Sequence, residues 1–118
     1  MTLNSIISIL LVYTNKLNII CMNELNKIAE IYKVFSDPTR LKILKLLLDN
    51  KFLCVNAITK RLDISQSAVS QHLRILRQVD LVDNQRMACH MHYSLKKERL
   101  IQFNKEVSKI LGKLFFMN

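Results

Sequence analysis

The stretch from Ser65 to Leu76, SQSAVSQHLRIL, places small hydroxyl and amide side chains between a few aliphatic ones. On a helix that starts here, Val69, Leu73 and Leu76 fall at positions i, i+4 and i+7 and must face a core. The outer side is then left to hydrogen-bonding side chains, namely Gln66, Ser67, Ser70, Gln71 and Arg74. Glutamine can make two hydrogen bonds to adenine, serine suits several bases, and arginine suits guanine or phosphate. The stretch therefore predicts a helix that reads base edges in the major groove of DNA.

Charge favours this interpretation over that of an ordinary solvated helix, which also has a polar outer side. No Asp or Glu occurs from Ile64 to Val79, although acidic residues commonly solubilise a helix. Basic side chains that can reach phosphates flank the stretch, namely Lys60, Arg61, Arg77 and Arg86. The chain has a net charge of +9, which favours a polyanionic partner, nucleic acid before an anionic membrane surface. Double-stranded DNA is therefore the predicted partner.

The cysteines and histidines indicate less about function. The 3 cysteines, Cys21, Cys54 and Cys89, lie far apart without a CxxC pair, so they suit a reducing cytosol and not a disulfide framework. His90 and His92 would share one face of a strand, next to Cys89. Two such histidines can bind zinc weakly, but contacts to DNA are the favoured role.

The residue types that catalysis needs do not come together in this sequence. It has no glycine-rich phosphate loop, no acid–base pair and no Ser-His-Asp set in one place. We therefore expect that the chain is not an enzyme, binds no small-molecule substrate and needs no cofactor.

The predicted elements place the reading helix in a small, mainly α (α+β) domain. Apolar residues at helical spacing predict helices from about Met22 to Ser36, from Pro38 to about Asp49, from Asn56 to Arg61 and from Ser65 to about Val79. The second of these has so wide an apolar face, including Leu41 and Leu48, that we expect it to be buried on several sides. After Asp80 the period changes to two, which predicts a two-stranded hairpin with its tip near Met87-Ala88, followed by a last helix from about Lys97 to Phe116. This order predicts a winged helix-turn-helix: four helices, a two-stranded β wing and a C-terminal helix.

Residues 1–21 differ from the rest in composition, with Lys16 as their only charged side chain. Two interpretations remain open. The natural chain begins at Met22 and this stretch is an artefact or a loose extension, or the stretch is an added helix that contributes to a subunit interface. In both cases the DNA-binding domain spans residues 22–118. The apolar run from Ser5 to Tyr13 is short for a transmembrane helix, so no membrane association is expected.

Three segments together resemble the ArsR/SmtB family of bacterial winged-helix repressors. They are SDPTRLKIL (36–44), LDISQSAVSQHLRILRQVDLV (62–82) and YSL (93–95), and the likeness covers about Asn23 to Leu114. Within the family, SQSAVSQHL is most similar to the HlyU/BigR-like group, which lacks the metal sites of the metal sensors. The resemblance implies a homodimer whose first and last helices form the interface, so that the C-terminal helix is a dimerisation helix. It also implies recognition helices in successive major grooves and wing tips on the flanking backbone.

Carried over to this sequence, the resemblance assigns Gln66, Ser67, Ser70, Gln71 and Arg74 to the recognition surface. It makes Ser65 the helix cap and places Arg86 in the wing, where its side chain would contact the DNA backbone or minor groove. It implies that His72 is a packed, hydrogen-bonding helix residue and that Arg40 is structural or contacts phosphate. Asp80 stands where the family usually has glycine, in a left-handed position that Asp adopts less readily.

The sensing chemistry of the family is only partly represented. Metal-sensing relatives carry a CxC pair as in ELCVCDL, but the matching stretch here is FLCVNAI, with Cys54 in the first position and Asn56 in the second. A soft thiolate site needs further sulfurs, and Cys21 could supply the second one if residues 1–21 belong to the natural chain. The last helix contains no histidine, and the cysteine pair of the oxidant-responsive relatives is absent. No complete metal site is therefore expected, and Cys54, Cys21 and Cys89 remain only candidate sensor thiols.

These observations predict a cytoplasmic, homodimeric, sequence-specific repressor that binds an inverted repeat, with thiol- or metal-linked release as an option. The alternative is a winged helix used as a protein-interaction module, in which the basic charge is incidental. A membrane-tethered form through Ile6 to Tyr13 is a weaker third interpretation.

Overall fold

The computed structural model describes the backbone of residues 2–116 and the side-chain surroundings of residues 2–8 and 22–112. Its elements in chain order are α1 (Leu3–Phe35), α2 (Pro38–Asp49), β1 (Leu53–Cys54), α3 (Val55–Leu62), α4 (Gln66–Gln78), β2 (Val82–Met87), β3 (His90–Leu95) and α5 (Lys97–Phe116). The predicted mainly α fold with a small wing is confirmed, and the predicted helix limits agree with the observed ones within one or two residues, apart from the start of α1.

Helix α1 is longer than the sequence pattern predicts. It runs without a break from Leu3 to Phe35, and the Thr2 hydroxyl caps it by accepting a hydrogen bond from the backbone N–H of Ser5 at 3.4 Å. Residues 3–21 are therefore continuous with the helix that the pattern places from Met22. Whether the natural chain begins at Met22 stays a prediction.

The junction of α1 and α2 is held by Asp37 and Arg40. The Asp37 carboxylate accepts hydrogen bonds from the backbone N–H groups of Thr39 at 2.8 Å and Arg40 at 3.2 Å, and Pro38 occupies the first turn, as predicted. The Arg40 guanidinium donates back to the carbonyl of Val34 at 2.8 Å, near the end of α1. Arg40 therefore has the structural role that was one of its two expected roles.

The core lies between the helices and the base of the wing, and its members are buried aliphatic and aromatic side chains. They are Ile28, Ile31, Val34, Ile43, Leu44, Leu47, Leu53, Ile58, Val69, Leu73, Leu76, Leu81, Val82, Phe103, Val107 and Ile110. Phe103, which the helical pattern did not single out, packs edge-on against Tyr32 at 5.9 Å and Phe35 at 5.4 Å between ring centroids. These rings join α1 to α5.

The expectation that α2 is buried on several sides is wrong for this chain. Leu41 is 47% exposed and Leu48 is 51% exposed, whereas Ile43, Leu44 and Leu47 are buried. The buried residues form one stripe at helical spacing, so α2 packs through a single face. Leu41 and Leu48 are left on the surface of the protomer, whereas Leu46 is half-buried and packs against the core.

The wing contains one strand more than predicted. The sheet order is β1-β3-β2, all antiparallel, with Cys54 opposite His92 and Met87 opposite His90. The predicted hairpin is confirmed, but the segment expected to be an extended link adds β1 to its other edge. Because β1 is only 2 residues long, its sequence shows no alternation that could have identified it.

Helix α4 is followed by a left-handed residue, as the comparison of Asp80 with glycine suggested. Asp80 has φ 63°, and its carboxylate forms an ion pair with Lys96, immediately before α5. The hydrogen bond from Lys96 holds the pKa of Asp80 below its ordinary value of 3.8. The end of α4 is thereby linked to the start of the last helix.

Candidate nucleic-acid interface

A tight turn orients α4 relative to α3. Helix α3 ends at Asp63, whose φ of 54° is left-handed and whose N–H donates to the carbonyl of Thr59 at 2.9 Å. The Ser65 hydroxyl then caps α4 by accepting from the backbone N–H of Ala68 at 3.1 Å. Both features agree with the helix-turn-helix prediction and with the predicted role of Ser65 as a cap.

The inner side of α4 is completely buried. Val69, Leu73 and Leu76 are each 0% exposed, as the spacing of the sequence predicts. Because all three belong to the main core, α4 cannot rotate about its axis without breaking core contacts. The helix therefore presents its outer side in one fixed orientation.

The outer side of α4 is a continuous polar surface, which we call the recognition face. It consists of Gln66, Ser67, Ser70, Gln71 and Arg74, and all of these side chains are exposed. The helix contains no acidic residue, so neither a carboxylate on α4 nor an internal ion pair occupies these groups. The free N–H groups and the positive dipole end of α4 lie beside Gln66 and Ser67 and suit a phosphate. The face can thus donate and accept hydrogen bonds toward a polyanion.

The predicted phosphate-binding residues lie around the recognition face but in different settings. Lys60 and Arg61 are exposed in the last turn of α3, and Arg86 is exposed on β2 near the wing tip. Arg77 is also exposed, but it shares a cleft of about 400 Å³ with Arg74, Lys96 and the carboxylates of Asp80 and Asp83. The carboxylates partly offset the positive charge there, for Arg74 as well as for Arg77.

His72 lies on the flank of α4 and is half-buried, in agreement with a packed residue. Its Nδ1 is buried and has no hydrogen-bond partner among the described residues, so this nitrogen does not supply the hydrogen bond implied for His72 there. Burial tends to raise the pKa of Asp37, but hydrogen bonds from the backbone of Arg40 and Thr39 outweigh this and lower it, with small contributions from the charges of Arg40 and His72. His72 therefore lies near the cap of α2.

The candidate sensor thiols are placed differently from one another. Cys54 is half-buried at the end of β1, and Cys89 is exposed in the turn between β2 and β3, not in the strand predicted for it. Cys21 lies outside the residues whose side chains are described. In the part of the chain with described side chains, no group of three or more His, Cys, Asp and Glu residues could hold a metal ion. The pairing of Cys54 with His92 depends on β1, and no local sequence signal could have found it.

The orientation of α4, the short turn and the three-stranded wing together define the winged helix-turn-helix class of DNA-binding regulators. The family model for bacterial regulatory proteins of the arsR family matches residues 37–84. An uncharacterised helix-turn-helix transcriptional regulator of Methanocaldococcus jannaschii is 38% identical over 93 residues, covering 79% of this chain and 100% of that protein. The chain belongs to the arsR family and is a transcriptional regulator, as the resemblance implied.

Other relatives are consistent with this assignment. A transcriptional repressor SmtB homolog of Synechocystis is 31% identical over 90 residues, covering 76% of this chain and 67% of that protein. The structure of reduced HlyU from Vibrio cholerae has a TM-score of 0.61 at 34% identity, covering 80% of this chain and 94% of that one. NolR from Sinorhizobium fredii has a TM-score of 0.63 at 32% identity, covering 77% and 90%. The SmtB homolog is named a transcriptional repressor and HlyU a transcriptional activator, and the similarity to HlyU agrees with the predicted subgroup.

Of the helices in the described part of the chain, none is both long enough and apolar enough to cross a membrane.

Proposed function

We propose that the chain is a sequence-specific repressor that binds an inverted repeat in double-stranded DNA as a homodimer. The observation that supports this most is the contrast within α4, where fully buried Val69, Leu73 and Leu76 back an exposed, acid-free recognition face. A rigid helix with amide, hydroxyl and guanidinium groups outward suits base edges of the major groove. Gln71 and Arg74 are assigned to bases, and Gln66, Ser67 and Ser70 to bases or the adjoining phosphates.

The apolar surface of the long helices supports a homodimer. Met22 is 67% exposed and Tyr32 46% exposed on α1, and Ile101 is 57% exposed on α5. Helices α1 and α5 pack side by side through Tyr32 and Phe103, so the two helices together form one side of the protomer. A second copy of the chain would cover this side, because a surface of this kind commonly marks an interface. A two-fold dimer presents two α4 helices and therefore selects a palindromic site with half-sites about one DNA turn apart.

The flanking cations give the complex its salt dependence. Lys60, Arg61, Arg77 and Arg86 are assigned to phosphates, with Arg86 on the backbone or minor groove beside the wing. Each phosphate contact releases counterions, so the affinity falls steeply as the salt concentration rises. The site of action is the cytoplasm, where bacterial and archaeal DNA lies.

The direction of regulation and the releasing signal are inferred from the relatives and from the cysteines. The relatives named above include a repressor, whereas HlyU of Vibrio cholerae is named a transcriptional activator. Repression is proposed because a dimer bound across a promoter blocks polymerase without further contacts. Release by a thiol- or metal-linked signal requires cysteines, and Cys54 and Cys89 are the described candidates.

The test is selection of duplex DNA from a random pool by the purified full-length chain, followed by titration of the selected duplex. We expect an inverted repeat bound by two chains, with a log–log salt slope several units below zero. Selection of a single half-site bound by one chain would overturn the dimer. If no sequence is selected, because the chain binds every duplex equally or binds none, the alternative of a protein-interaction module is favoured.

A further inference from the structure

A pocket of about 530 Å³ lies where the end of α2 meets the base of the wing, and we call it the wing-base pocket. Its walls come from the last residues of α2 (47–49), the link to β1 (51–52), the end of β3 (94–95) and Lys97, the first residue of α5. A cavity of this size is in the range that holds a whole small molecule. None of the residues described as lining it belongs to the recognition face or to the flanking cations. The pocket is therefore separate from the proposed DNA contacts.

Most of the apolar lining of the wing-base pocket is aliphatic. Leu47 is buried, and Leu95 is half-buried and packs against the core. Leu48 lines the same pocket but is 51% exposed, so part of the apolar lining lies in water. A hydrocarbon chain that covered this area would gain the free energy of removing it from water.

Two lysines give the wing-base pocket its charge. Lys51 and Lys97 are exposed, and the Nζ of Lys51 lies 5.7 Å from the centroid of the Phe52 ring. The Asp49 carboxylate also lines the pocket, but it accepts a hydrogen bond from the Nζ of Lys45 at 3.0 Å. Neither Lys51 nor Lys97 forms an ion pair within the described part of the chain. The positive dipole end of α5 and the negative end of α2 oppose each other here, so the two lysines determine the sign of the charge.

We propose that the wing-base pocket binds a medium-chain aliphatic carboxylate. Its hydrocarbon chain lies against Leu47, Leu48 and Leu95, and its carboxylate pairs with Lys51 and Lys97. An aliphatic chain suits the pocket better than an aromatic ring, because the ammonium group of Lys51 already lies over the one aromatic ring of the lining. The inference is independent of the proposed function, since it holds whether or not the chain binds DNA.

Calorimetric titration of the full-length chain with decanoate tests the site. We expect one decanoate per chain, and octanoate and hexanoate should bind about threefold more weakly for each methylene removed, because less apolar area is covered. Decanol and decyltrimethylammonium have a similar chain without the negative charge and should bind about fivefold more weakly than decanoate. Equal binding of the three compounds would overturn the site, because the lysines would then not recognise the carboxylate.

A pair of leucine variants tests the apolar wall. Leu48→Gln removes apolar area from the pocket and should weaken decanoate binding about tenfold. The matched control is Leu41→Gln, since Leu41 lies on the same helix and is 47% exposed but does not line the pocket. Its decanoate affinity should equal that of wild type. Equal affinities of the two folded variants would place the bound chain elsewhere and overturn the proposal.

A pair of double lysine variants tests the charge. Lys51→Gln plus Lys97→Gln should weaken decanoate binding about tenfold and leave decanol binding unchanged, because only the carboxylate loses its partners. Lys105→Gln plus Lys109→Gln removes the same charge from exposed positions of α5 outside the pocket and should bind both compounds like wild type. If the two double variants lose decanoate affinity equally, the carboxylate responds only to net charge and the assigned partners are wrong.

The rival occupant of the wing-base pocket is a second copy of the chain, because exposed leucines also occur at subunit contacts. Light scattering of wild type and Leu48→Gln at one protein concentration separates the two occupants. Under the proposal both proteins have the same mass in solution, and only wild type binds decanoate tightly. A lower mass of Leu48→Gln, together with no decanoate binding by wild type, would show that a subunit contact fills the pocket and would overturn the proposal.

Discussion

Helix α4 and the wing both direct polar side chains outward, but they are supported very differently. Behind the recognition face lie Val69, Leu73 and Leu76, each 0% exposed. Behind β3 the packing is thinner, because Tyr93 and Leu95 lie against the core but none of its residues from His90 to Leu95 is fully buried. The groups that we propose to read bases are therefore backed by the core. The wing is anchored at its base, where Leu95 pairs with buried Val82 and Tyr93 with buried Leu53, and its turn at Ala88 and Cys89 is exposed. Under the proposed function, α4 determines the sequence preference and the wing tip adjusts to the DNA backbone.

The largest expected effect tests the support of α4. Leu73→Ala removes a fully buried side chain and leaves a cavity, so we expect the free energy of unfolding to fall by about 3 kcal/mol. Met87→Ala at the half-buried wing tip should cost less than about 1 kcal/mol. Urea unfolding at one fixed protein concentration measures both. Equal losses would show that the wing is packed as firmly as α4.

The second prediction separates base contacts from backbone contacts. Arg74→Ala on the recognition face should cost about 1–3 kcal/mol on the selected operator and relax sequence preference. Arg86→Ala in the wing should weaken all duplexes about equally and reduce the magnitude of the salt slope by about 1. Anisotropy titrations over a range of salt concentrations distinguish the two patterns. The division between α4 and wing is wrong if Arg86→Ala changes sequence preference and Arg74→Ala does not.

The third prediction concerns Asp37, which caps the start of α2. Hydrogen bonds from the backbone of Arg40 and Thr39 lower the pKa of Asp37 in the folded chain below 3.8 in spite of its partial burial. The ionised cap therefore contributes stability that is fully present above the unfolded pKa and is lost as pH falls through the lower folded pKa. Asp37→Asn keeps a good helix cap but cannot titrate, so its loss of stability between about pH 5 and pH 3 should be smaller than that of wild type. Parallel slopes over this range would contradict the assignment.

The smallest expected effect is at the link between α4 and the wing base. Asp80 has φ 63°, which glycine adopts without strain, while its ion pair with Lys96 is exposed and contributes little. Asp80→Gly should therefore leave stability nearly unchanged, whereas Asp80→Ala should destabilise, because it loses the ion pair and keeps the left-handed strain. Thermal melts of the two variants provide the comparison. A larger loss in the glycine variant would mean that the ion pair, and not the backbone, dominates this position.

The two regions also differ in how far the sequence predicts them. The recognition face follows from local periodicity, because Val69, Leu73 and Leu76 at helical spacing fix which side of α4 is outward. The wing-base pocket depends on the pairing of β1 with β3, which joins segments far apart in sequence and leaves no periodic signal. The exposure of Leu41 and Leu48 was not predicted for a related reason. The apolar residues of α2 do not show which of its faces the rest of the chain will cover.

The most direct test of the central claim is the double variant Gln71→Ala plus Arg74→Ala, compared on the selected operator and on a random duplex. We expect its operator affinity to fall about 100-fold, to nearly its affinity for random DNA, because both base contacts are removed from an otherwise intact helix. The control Lys45→Ala removes one exposed positive charge from α2, on the side chain that pairs with Asp49, and should keep the wild-type preference. If the double variant is folded and still prefers the operator as strongly as wild type, the recognition face does not read DNA.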